Sequence, residues 1–102
     1  MKLIQDLSMM IEDEIEGAEE YAKEAVRYKR EDPVLARAFY DIANVELQHV
    51  NILHEQVVRI IEQHRKEHGE PPAPMKAVYD YLHNKHIEEV NEVKNYLATY
   101  RE

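Results

Sequence analysis

The sequence predicts an all-α protein: a long antiparallel helical hairpin followed by a third helix, with a second copy completing a four-helix bundle. Three observations carry this. The chain is punctuated at two places, at Pro33 after Glu31 and Asp32, and along Gly69-Glu70-Pro71-Pro72-Ala73-Pro74. The stretches between are rich in Ala, Glu, Lys, Leu and Ile and lack strand-like alternation. The middle stretch, at about 34 residues, makes a helix of roughly 50 Å. That exceeds the size of a 12.1 kDa globule, so three helices leave apolar surface uncovered and the chain is expected to self-associate.

The first helix is expected over about 2–30, the second over about 33–67 and the third over about 75–100, with a proline-rich turn at 69–74. Asp32 suits the N-cap of the second helix, and Pro33 its first turn, where a missing N–H costs nothing. Gly69 suits its C-terminal stop, and Arg65, Lys66 and His68 complement the negative end of its dipole. No internal repeat or low-complexity tract is visible.

With 102 residues, 13 basic and 21 acidic, the chain carries a formal net charge of −8 and makes one domain near the small end of self-sufficient cores. It has no Cys, which removes disulfides, thiolate metal sites and cysteine nucleophiles together. The acidic balance argues against nucleic-acid binding and suits attraction of cations. No apolar run approaches a membrane span. The N-terminus turns acidic where an export signal would be apolar, so the expected location is cytoplasmic.

The informative feature is charge inside the apolar stripes. In the first helix Ile4, Leu7, Ile11, Ala18, Tyr21, Ala25 and Tyr28 follow 3-4 spacing with one position missing, and that position is Glu14. In the second the stripe runs Leu35, Phe39, Ile42, then Glu46 and His49, then Leu53 and Ile60. Glu46 and His49 are spaced i, i+3 and share a face. Burying such groups without partners costs several kcal/mol. In a hairpin turning near 31–32, Glu14 lies about 17 residues before the turn and Glu46 and His49 about 15 and 17 after it, which places all three in one layer. Two carboxylates and an imidazole suit a divalent cation such as iron, manganese or zinc. Glu12, Asp13, Glu16, Glu19 and Glu20 read as a solvated face.

A first-helix Glu followed by Glu-x-x-His on the next helix resembles the ferritin-like di-iron carboxylate proteins, the rubrerythrin-type half-bundle and encapsulated-ferritin groups above all. The resemblance covers about residues 10–55, through Glu14-Ile-Glu-Gly-Ala-Glu-Glu-Tyr21, Asp32-Pro33, and Phe39-Tyr40-Asp-Ile-Ala-Asn-Val-Glu46-Leu-Gln-His49. It implies that Glu14 bridges or caps iron, that Glu46 bridges and that His49 is a terminal ligand. It also implies that Tyr21 bonds to a site carboxylate. The chain departs from full-length members in having no fourth helix and no second Glu-x-x-His. Encapsulated ferritins solve this by pairing subunits, and the same solution here brings four carboxylates and two imidazoles to two irons at a homodimer interface. Iron handling with ferroxidase chemistry is the implied activity, with no catalytic residue beyond the metal ligands. No targeting tail of the encapsulated kind is evident, so residence in a shell is not expected.

The third helix offers Val78, Leu82, Val90, Val93 and Leu97, interrupted by His86 with Glu89 beside it. Packed back on the second helix, residue 86 falls roughly 12 Å along the axis from the first site. There it comes near His54, so His54, His86 and Glu89, with His83 beside them, form a candidate second cation site. The competing reading makes His54, His83 and His86 boundary or interface residues. Met9, Met10 and Met75 read as core filler, and Tyr79, Tyr81, Tyr96 and Tyr100 as interface packing. The alternative function is a helical dimerisation or adaptor module whose buried Glu and His set register without metal. The expected partners are metal cations and the chain itself.

Overall fold

The computed structural model describes all 102 residues as three helices and no strands: α1 Lys2–Tyr28, α2 Pro33–His68 and α3 Ala73–Arg101. None of them is long and apolar enough to cross a membrane. The molecule is a rod of 55 × 18 × 18 Å, its length set by the 36 residues of α2.

Local chemistry sets the helix ends. The Leu35 N–H donates to Asp32 Oδ1 at 3.1 Å, and Pro33 occupies the first turn of α2, as the sequence predicts. The cap closes a tight hairpin in which α2 runs back along α1. Gly69 ends α2 at a φ of 81°, its N–H donating to the Arg65 carbonyl at 2.8 Å. Only a residue without Cβ adopts that conformation cheaply. The turn is shorter than expected. Ala73 and Pro74 belong to the first turn of α3, because Pro preorganises φ where N–H groups lack helical partners. The first helix stops at Tyr28, two residues before the expected boundary.

The α3 helix runs parallel to α1. At one end the Met1 amino group donates to the Tyr79 hydroxyl at 3.2 Å. Midway Lys85 pairs with Glu12 at 2.6 Å. At the other end Lys29 donates to the Glu102 carbonyl, Tyr40 stacks on Tyr100 at 4.6 Å and the Arg101 guanidinium donates to the Tyr40 hydroxyl at 3.0 Å. α1 packs along both neighbours, whereas α2 and α3 scarcely approach one another.

The core follows the expected stripes at Ile4, Ile11, Ala18 and Ala25 of α1 and at His86, Val93 and Leu97 of α3, and is out of phase with the stripe expected on α2. It is built from Ile11, Ile15, Ala18 and Ala22 of α1, Ala43 and Val50 of α2, and Val93 and Leu97 of α3. The buried α1 position is therefore Ile15, not Glu14. On α2 the buried residues are Ala36, Ala43 and Val50, each next to a residue of the expected stripe. The reason is close approach. Alanines at 18, 22, 25, 36 and 43 are fully buried, and such small side chains let the α1 and α2 backbones lie near each other, with the bulkier residues displaced to the flanks. Leu3, Met10, Leu35 and Ile42 are consequently exposed. With Leu7, Glu14, Tyr21, Phe39, Glu46, His49 and Leu53 they form a second strip along the hairpin, which α3 leaves uncovered.

Candidate metal centre

The short hairpin turn fixes the register of α1 against α2, and that register brings Glu14, Glu46 and His49 to one level. His49 Nδ1 lies 3.2 Å from Glu14 Oε2, the imidazole donating to the carboxylate. Two ligands each about 2.1 Å from one cation, at roughly right angles, stand about 3 Å apart. The pair thus already has the spacing of adjacent ligands. Their side chains are 33% and 48% exposed, for Glu14 and His49 respectively, so the pair lies at the surface of the strip rather than in the core.

Glu46 is the most enclosed of the three. Its carboxylate rests on Gly17, and a Cβ at that position would overlap its oxygen. Burial holds the Glu46 carboxyl above its ordinary value of 4.5, and the Glu14 and Glu20 carboxylates push it the same way, against a smaller opposing influence of His49. The group is a carboxylate short of positive charge.

Two participants were not singled out by the sequence patterns. Gly17 is the floor under Glu46, and the signal for it was a glycine in the middle of a helix, which costs about 1 kcal/mol against Ala and needs a packing reason. Glu20, on the face read as solvated, is exposed there and adds its charge to the field at Glu46. Of that same acidic group, Glu12 pairs with Lys85 and Glu19 with Lys23. Tyr21 departs from its expected role. Its ring packs 5.9 Å from Phe39, and its hydroxyl is not bonded to Glu14, whose partner is His49. Within one chain no three carboxylate or imidazole groups converge as a metal-binding set.

The second cluster forms with one exchange of members. His54 and His86 line the same cavity, as expected, and His83 joins them, its ring stacked on His54 at 4.9 Å. Glu89 points elsewhere, lying 3.7 Å from Lys85. Burial raises the Glu89 carboxyl, Lys85 lowers it, and Glu12, Glu16 and Glu19 raise it again. The i+3 step from His86 to Glu89 overshoots the groove toward α1. Burial also lowers both His54 and His86, with His83 adding to it in each case; Glu12 opposes the shift at His86.

No family model, curated protein or solved structure matches the chain.

Proposed function

We propose that the chain is half of a ferritin-like metal-binding bundle, in which two copies pair through the uncovered α1/α2 strip. Glu14, Glu46 and His49 from each copy then hold two irons, with manganese or zinc as alternative occupants. The carrying observation is the meeting of Glu14 and His49 at 3.2 Å, beside a Glu46 carboxylate enclosed over Gly17. The exposed residues Leu35 and Ile42 on the same strip favour the pairing.

Each group has a distinct task in this reading. Glu46 supplies a desolvated negative charge whose strain a cation relieves. Glu14 and His49 stand as neighbouring ligands, and the hydrogen bond that joins them in the metal-free chain gives way when a cation replaces the shared proton. Gly17 leaves the space in which the Glu46 carboxylate stays near the level of the other two. Paired ferrous ions would supply the electrons for reaction with dioxygen, and the surrounding carboxylates would favour the more highly charged product. Anaerobic Fe(II) addition followed by air tests this. Two irons per dimer and growth of ferric absorption are expected, both lost in Glu46→Ala that keeps its helical content.

A second reading draws on the Glu14–His49 hydrogen bond itself, which needs no metal. It makes the chain a helical dimerisation module whose polar pair sets register. Under it, Fe(II) leaves both the dimer and its melting temperature unchanged.

A further inference from the structure

The groove where α2 and α3 diverge is polar at its centre. His54 of α2 faces His83 and His86 of α3, which are spaced i, i+3 and share a helix face. All three imidazoles line two adjoining cavities, of about 210 and 180 Å³. His86 is only 8% exposed, and its Nε2 has no hydrogen-bond partner. A buried nitrogen without a partner is costly to the fold and points to a ligand that would satisfy it. Filling the groove with apolar side chains would have avoided that cost. From the structure we infer that His54, His83 and His86 form a second, intramolecular binding site for a borderline divalent cation of the zinc class, independent of the carboxylate centre.

The donor set selects the ion. Three imidazoles favour zinc, nickel or copper over magnesium, calcium or manganese, and Asp80 is the one carboxylate lining the two cavities. Three protein ligands leave a fourth position facing the cavity, where a water or small anion completes a tetrahedron. In the present conformation the His54 and His83 rings lie 25° from parallel, and the three nitrogens do not yet converge. His83 is at the exposed rim of the groove and free to swing, while His86 is fixed by its packing. Ligation therefore needs side-chain rotation at the rim rather than a shift of helices. A cation there would tie α2 to α3, two helices that otherwise scarcely approach one another.

The test uses the full chain carrying Glu46→Ala and His49→Ala, so that failure of the carboxylate centre cannot be mistaken for failure of this one. Zinc chloride is titrated calorimetrically, and cobalt(II) absorption reports tetrahedral coordination. One zinc per chain is expected. Adding His83→Ala, at an exposed position that does not threaten the fold, should weaken binding by roughly 100-fold or more, as should His54→Ala. His64→Ala is the control, because His64 and His68 stand close to each other on α2 at 4.7 Å. Loss of zinc in His64→Ala with retention in His83→Ala would overturn the assignment. So would the absence of zinc binding in the parent double variant.

Discussion

Gly17→Ala separates the carboxylate centre from the scaffold that carries it. Gly17 lies inside α1, where replacing glycine by alanine stabilises a helix by about 0.5–1 kcal/mol. Against this, the new methyl would overlap the Glu46 carboxylate. That carboxylate is the far end of a flexible, only partly buried side chain, so it can swing toward solvent at little cost. It also gains by moving, because burial and the Glu14 and Glu20 charges now hold it above its ordinary value. The metal-free protein should therefore gain about 0.5–1 kcal/mol, roughly 2–8 °C in Tm for a domain of this size. Iron binding should nevertheless weaken by at least ~10-fold, since a displaced carboxylate no longer stands level with Glu14 and His49. Urea unfolding in chelator at fixed protein concentration gives the first quantity, and anaerobic Fe(II) titration the second. A variant that loses more than about 1 kcal/mol would show that the site cannot relax as argued. One that binds Fe(II) like the parent would remove Glu46 from the centre.

Three further outcomes are expected. Ile42→Lys places a charge on the uncovered strip at a position that a single chain leaves 39% exposed, so sedimentation should show monomers whose helical content is unchanged. Asp32→Ala deletes the side-chain acceptor for the Leu35 N–H and should cost about 1 kcal/mol in urea unfolding. Because the Glu46 carboxyl is raised from 4.5 in the folded chain, the folded state holds its proton at pH values where the unfolded chain has released it. Its contribution therefore falls as pH rises from the ordinary carboxylate value through the raised one. Glu46→Gln, measured without metal, should flatten that part of the stability–pH curve, and an unchanged slope would show that Glu46 is solvated.

The helix ends were legible because each has a local chemical cause: Asp32 and Pro33 at one end of α2, Gly69 at the other. The level of Glu14 with His49 was legible too, since counting residues from a tight turn fixes height along a hairpin. The rotation of α2 was not. The patterns were read from bulky residues, and Leu35, Ile42 and Ile60 outweigh Ala36 and Ala43 in any reading by hydrophobicity. Burial went to the alanines because backbone proximity, which a single helix does not encode, decided which face turned inward. The same blindness hid Gly17, whose role exists only once α2 lies across it. Tyr21 was assigned from resemblance alone, and packing against Phe39 claimed it instead. At the second cluster, counting along α3 found the level of His54 and His86. Choosing between Glu89 and His83 required knowing which way the groove opens.

The residues of the uncovered strip pull in opposite directions. Leu35 and Ile42 gain from being covered, at about 25 cal/mol for each Å² of apolar surface withdrawn from water. Glu14, Glu20 and Glu46 lose, because a second copy would set an identical group of carboxylates against them in a drier medium, and Glu46 is already held above its ordinary value within one chain. In a chain of net charge −8 no lysine or arginine is paired with any of these three; Glu14 has only His49. The charge can then be relieved in two ways, by protonation or by a cation. If pairing and metal binding relieve each other's cost, they form one linked equilibrium in which the ion binds the paired state and draws chains into it by mass action. A strip made only for association accounts for the Glu14–His49 pair as a device that sets register, but leaves Glu20 and Glu46 without a counter-charge. One made only for metal would not flank those positions with exposed Leu and Ile.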